Sequence, residues 1–126
     1  ANAYGKNKQF EEAVELYQNI LSVYEEMEGL GYNKRTLYNN IGVLYLEWEK
    51  PGEAMEYLLK AYELAKDIDR DSQGETAYRL SQAYAALDNR EKEQECLQEA
   101  LPIIEKMYGE EHPKVVDARQ RVLVTI

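Results

Sequence analysis

Residues 38–61 read YNNIGVLYLEWEKPGEAMEYLLKA, and this stretch decides the fold. Tyr38, Ile41, Gly42 and Tyr45 fall at spacings of three, one and three, and Ala54, Leu58 and Ala61 at four and three, which places each set on one face of a helix. Lys50, Pro51 and Gly52 lie between the two sets and predict the tight turn of an antiparallel pair, since proline stops a helix and glycine eases the reversal. Gly42 and Ala54 are small enough to let the two backbones approach closely, with Tyr38, Tyr45 and Leu58 filling the space around that contact.

The pattern recurs on both sides. Tyr84, Leu80, Ser81, Leu97 and Ala100 stand 39 residues beyond Tyr45, Ile41, Gly42, Leu58 and Ala61. Tyr4 and Ala13 precede Tyr45 and Ala54 by 41. A near-constant period of this size marks a helical solenoid, in which each unit covers its neighbour's apolar face. On these residues the chain resembles tetratricopeptide repeats in their longer-period form. Residues 42–84 are similar to the repeats of Pins-type adaptors and of bacterial peptide-sensing regulators, and EALPIIEKMYGEEHPKVVDA, residues 99–118, to the kinesin-light-chain-like version. The resemblance implies an all-α, right-handed superhelical stack of antiparallel helix pairs. The units are expected at about 1–31, 34–69 and 72–109, followed by a terminal helix at 112–126, as a single repeat domain over 1–126 that is a piece of a longer protein.

Within those units, residues 1–5 read as the tail of a broken helix with a turn at Lys6–Lys8, then a helix from Gln9 to about Glu28 ended by Gly29, Gly31 and Asn33. Helices are expected near 34–49, 52–68, from Asp71 or Ser72 as cap to about Leu87, and 90–108 with a kink at Pro102. Glu93 occupies the position that is alanine in the other units, Ala13 and Ala54, and predicts looser packing there. The terminal helix, opened by His112 and Pro113, carries Val115, Val116, Val122, Leu123 and Ile126. Without a partner helix it predicts self-association through an exposed end.

Composition narrows the function. Twenty-four acidic against fifteen basic residues give a net charge of −9, with the basic residues in no run, so nucleic acid is not an expected partner. Cys96 is the single cysteine, which leaves no internal disulfide and suits a reducing, cytoplasmic setting. No apolar run reaches the roughly 20 residues of a membrane span, so no membrane partner is expected. Asp67, Asp69 and Asp71 alternate as calcium ligands do, but Ser72 and Tyr78 stand where a calcium loop needs glycine and glutamate. His112 beside Pro113 reads as a cap and Cys96 as an inert thiol; no phosphate loop or nucleophile motif is present. An enzyme, a metal and a cofactor are therefore not expected.

What is left is a surface. The resemblance implies that the first helix of each unit lines a concave groove, and the repeat register then names the residues. In the central unit they are Thr36, Asn39, Asn40, Val43 and Glu47; in the next, Glu75, Tyr78, Arg79, Gln82 and Ala86; in the last helix, Asp117, Gln120, Arg121 and Val124. Asn40, Arg79 and Arg121 form the expected donor row, because asparagine matches a peptide backbone and arginine forks onto a carboxylate. Family members that clamp a peptide's terminal carboxylate resemble this at Asn40 and Arg79, although Glu75 stands where that clamp has lysine. Arg79 could instead pair with Glu75, its i−4 neighbour. The implied function is a non-catalytic scaffold or adaptor module that binds a protein or peptide with a carboxylate or free C-terminus in its groove. The alternatives are a peptide-sensing regulatory domain and a structural spacer in a longer solenoid.

Overall fold

Six helices form, and the sequence explains where each begins and ends. In the computed structural model, which describes residues 2–29 and 31–122, they are α1 (Asn2–Glu25), α2 (Gly31–Glu47), α3 (Pro51–Ile68), α4 (Arg70–Ala86), α5 (Arg90–Tyr108) and α6 (Pro113–Arg121). Each packs on its neighbours in order, and α2 and α4 also touch, so the chain is an all-α stack of helix pairs. The expectations for the Tyr4 side chain and for Leu123, Val124 and Ile126 fall outside what is described.

Two reversals share one mechanism. After α2, Lys50 N–H donates to Tyr45 O at 2.8 Å and Glu49 N–H to Leu46 O at 3.1 Å, with Glu49 in the left-handed region at φ 61°. After α4, Asn89 N–H donates to Tyr84 O at 2.9 Å and Asp88 N–H to Ala85 O at 3.1 Å, with Asp88 at φ 60°. Both are Schellman closures, which satisfy carbonyls a helix end would otherwise leave open. The expected turn at Lys50–Gly52 is therefore shifted: Trp48–Lys50 turn the chain and Pro51 opens α3, where its missing N–H has no intrahelical partner to lose.

Other boundaries also move. The expected break at Lys6–Lys8 is absent and α1 runs unbroken for 24 residues, with Trp48 Nε1 donating to Asn7 Oδ1 at 2.9 Å and Phe10 stacked on Trp48. Gly31 and Asn33 belong to α2 rather than to the end of α1. Asp69, not Asp71 or Ser72, caps α4, its carboxylate accepting from Ser72 N–H at 2.7 Å, because α4 starts one residue after α3's C-cap. The terminal helix is shorter than expected: Val122 is already extended (ψ 135°). α5 continues on both sides of Pro102.

The core follows the repeat. Val14 and Leu21 of α1 meet Leu37, Tyr38 and Ile41 of α2 and Ala61 of α3. Ala54 and Leu58 meet Leu80 and Ala83, and Ala77 and Tyr78 meet Leu97, Ala100, Ile104, Val115 and Ala118. A ladder of stacked rings, Phe10, Trp48, Tyr45 and Tyr57, runs beside the first cluster at centroid spacings of 5.9, 5.8 and 5.8 Å. Of the residues expected to drive self-association, Val115 is buried, Val122 packs on the core and Val116 is exposed.

Close approach is real at two glycines. A Cβ added to Gly42 would meet Leu58 Cγ at 2.5 Å and Ala54 O at 3.4 Å, as the small-residue pattern predicted. A Cβ at Gly74 would fall on Cβ and Cγ2 of Ile103. Alanine at Gly74 gains up to about 1 kcal/mol of helix propensity. It must also push the Ile103 stem aside, at about 1–3 kcal/mol of overpacking. Gly74→Ala should lower the urea midpoint, whereas Gly52→Ala, with nothing within 4 Å of its Cβ, should leave it unchanged or raise it. Equal stabilisation by both would show that α4 and α5 are not in close contact.

Candidate binding groove

The first helices of successive pairs, α2 and α4, lie side by side and enclose a cleft of about 380 Å³ lined by Val43, Leu46, Glu47, Arg79, Gln82 and Ala86. Five of these six were on the face named from the repeat register. Leu46 was missed, although it stands three residues from Val43 and a helix face admits it. Asn39 and Asn40 sit one turn earlier on α2, half-buried and outside the cleft lining, and the Asn39 Oδ1 is buried with no hydrogen-bond partner.

Arg79 is the cation of the cleft. One guanidinium nitrogen donates to Gln82 Oε1 at 3.0 Å, one turn along α4, and the group lies 5.6 Å from the centroid of the Tyr78 ring. Its Nε is buried without an acceptor. Glu75, the competitor at i−4, is engaged elsewhere: it accepts from Lys114 Nζ at 2.9 Å and from the Tyr108 hydroxyl at 3.2 Å. Burial works against ionisation of Glu75, but the hydrogen bond and charge of Lys114, with Tyr108, outweigh it and hold the carboxyl below its ordinary value.

Two other expected groove residues serve the interior. Tyr78 is only 3% exposed, and its hydroxyl donates to Asp117 Oδ2 at 2.8 Å. Burial first, then this carboxylate, pushes its pKa up to about 12. The ring backs the Arg79 guanidinium and offers little contact surface. Arg121 donates to Glu93 Oε2 at 2.8 Å, Asp117 Oδ2 at 3.0 Å and Ser81 Oγ at 3.0 Å. Its guanidinium therefore ties α6 to α4 and α5, while lying 5.8 Å from the centroid of the same Tyr78 ring that Arg79 borders. Glu93 is explained by the same contact: the buried carboxylate pairs with the half-buried Arg121 guanidinium.

Remaining candidates for chemistry are structural in their contacts. His112 Nδ1 accepts from Lys114 N–H at 3.1 Å, capping α6, and its ring stacks on Tyr108. Burial, then Glu99 and Glu95, push the Cys96 thiol up to about 12, so it stays protonated. Among the described residues no group of acids, histidines or cysteines could hold a metal, and no helix is long and apolar enough to cross a membrane. A larger cleft of about 480 Å³ between α3, α4 and α5 is bounded by Asp69 and Glu99, but Asp69 caps α4 and Glu99 accepts from Tyr62 and Gln73.

Comparison with known proteins gives one consistent picture. A family model described as tetratricopeptide repeat matches residues 1–67, and a second with the same description matches 75–114. Among solved structures, BtubC (BKLC) from P. vanneervenii is 19% identical with a TM-score of 0.76, over 90% of this chain and 46% of its own. A kinesin-light-chain-type protein of Podosopora anserina with nearly identical TPR-like repeats is 22% identical with a TM-score of 0.78, over 94% of this chain and 58% of its own. A single-substitution variant of that protein gives 0.79 over the same shares. The chain thus spans about half the length of these structures, and at this identity the likeness is one of fold. No curated protein matches the chain in sequence.

The Glu75–Lys114 pair carries a pH signature. Because the folded carboxyl titrates below its ordinary value of 4.5, its contribution to stability is full above that value and is lost as pH falls through the folded pKa. Glu75→Gln should therefore be less stable than the parent near neutral pH, and the gap should close in urea unfolding series taken below about pH 4. A gap that stays constant down to acid pH would show that the ionised pair does not stabilise the fold.

Proposed function

Since the chain belongs to the tetratricopeptide repeat family, whose repeats are in general protein–protein interaction modules, we propose that it is a non-catalytic scaffold module holding a peptide in the cleft between α2 and α4. One observation carries the reading above the others. Arg79 borders the cleft with its Nε buried and lacking an acceptor, while the nearby carboxylate that would have satisfied it is taken by Lys114. A buried donor without a partner costs about 1–3 kcal/mol, and a ligand carboxylate or backbone carbonyl entering the cleft would recover that cost. Val43, Leu46 and Ala86 supply apolar wall, so the favoured ligand is a peptide carrying a carboxylate, or its own C-terminus, beside a small apolar side chain.

Peptides with free C-termini, selected from a random library on the immobilised protein and titrated calorimetrically, test this. Arg79→Ala should weaken binding by about 1.5–3 kcal/mol, the range of a charge-assisted hydrogen bond, whereas Lys60→Ala on α3 should leave it unchanged. Parent-like binding by Arg79→Ala, together with loss in variants of Arg70 or Gln73, would move the partner to the α3–α5 side.

A further inference from the structure

The cleft between α2 and α4 is bipolar. Two of its six lining residues are charged, Glu47 on α2 and Arg79 on α4, and the others are Val43, Leu46, Gln82 and Ala86. Counted by the repeat offset of 39, Arg79 is level with Asn40 and Ala86 with Glu47. Ala86 stands about two turns beyond Arg79 on α4, roughly 10 Å of helix rise. The cation therefore sits toward one end of the cleft and the anion toward the other.

Neither charge is met inside the fold. Among the described residues the cations that form ion pairs are Lys66, Lys92, Lys114, Arg119 and Arg121, and neither Arg79 nor Glu47 takes part in any of these pairs. Lys50, three positions after Glu47, lies over the Trp48 ring instead, 3.9 Å from its centroid. Glu75, one turn before Arg79, is held by Lys114. An extended molecule with opposite charges at the matching separation answers both groups at once, and an extended peptide covers roughly 10 Å in three residues.

We infer that the cleft selects its peptide by a charge pattern: a free C-terminal carboxylate at Arg79, and a lysine or arginine about three residues before it at Glu47. Small apolar residues between the two lie against Val43, Leu46 and Ala86. A terminal carboxylate reaches the buried Arg79 nitrogen with fewer side-chain torsions to fix than an aspartate or glutamate would. The peptide then runs from the Arg79 end toward the C-terminal ends of α2 and α4. This rests on the cleft being a peptide site, and it makes Glu47 the residue that sets the ligand's sequence.

The probe is a library of random heptapeptides, joined to a carrier at the N-terminus and ending in a free carboxylate. It is selected on the parent and on Glu47→Lys, Arg79→Ala and Glu56→Lys. The parent pool should be enriched in lysine and arginine about three residues before the end, and the Glu47→Lys pool should favour aspartate or glutamate there. Glu47 is exposed near the end of α2, where lysine suits the helix dipole, so folding is not at risk. Glu56→Lys makes the same change of charge at an exposed site on α3 and should select as the parent does, which separates a local contact from the general pull of an acidic protein on bases. In calorimetric titration the parent should prefer the consensus peptide over its copy with glutamate for the base by at least about threefold, as an exposed ion pair allows, and Glu47→Lys should reverse that order. The C-terminal amide of the consensus peptide should lose binding; an amide that binds as well as the acid overturns the stated end group. A parent pool without the base, or a preference for it that survives in Glu47→Lys, overturns the inference. In either case the peptide site itself stands if Arg79→Ala loses the selected peptides, and falls too if Arg79→Ala binds them like the parent. A library that yields no pool on the parent overturns both.

Discussion

The notch at Gly42 is the contact on which the stacking depends. Leu58 fills the space a side chain there would take, and the Ala54 carbonyl stands only 3.4 Å from where the Cβ would be. Helices held this closely bury small residues completely: Ala54, Ala61, Ala65, Ala77, Ala83 and Ala100 are all inaccessible. Such a core gains less from area than from contact density, since alanines remove little surface but bring backbones into dispersion range. Beside the first cluster, by contrast, the contact is made by stacked rings, Phe10, Trp48, Tyr45 and Tyr57.

Most of the architecture was legible because periodicity and punctuation report local geometry directly. Tyr38, Ile41, Gly42 and Tyr45 named one face of α2, and the offset of 39 carried it to α4. Errors came where two cues competed. Pro51 and Gly52 were read as the turn, but proline is equally at home in a helix's first turn, and the reversal used Glu49, a residue with no preference for φ > 0. Gly74 gave no signal at all: residue 35, its counterpart by the repeat, is arginine, so the close approach of α4 to Ile103 has no echo in the neighbouring unit.

The groove was legible as a face and illegible as a set of partners. Helical register places Arg79, Gln82 and Val43 together, but it cannot say which carboxylate a cation takes. Arg121 was read as a free donor although Asp117 stands at i−4 on the same helix, and its second carboxylate, Glu93, lies on another helix and was read as a sign of looser packing. Glu75 was read as Arg79's neighbour, whereas the docking of α6 brings Lys114 within 2.9 Å of it. α6 buries only Val115 and Ala118 fully, so its seat on the stack rests heavily on ion pairs, and the exposed ones among them weaken as salt rises.

The ring ladder has a spectroscopic consequence. Trp48 is the only tryptophan in the chain, and it is sandwiched between Phe10 of α1 and Tyr45 of α2, with the Lys50 ammonium 3.9 Å from its ring centroid. Its emission therefore reports whether α1 is seated on α2 and almost nothing else. In a stack whose units contact only their neighbours, α5 and α6 can melt without altering that signal. Tryptophan fluorescence and far-ultraviolet circular dichroism need not coincide on this chain, and a difference between their midpoints measures how far cooperativity extends along the stack.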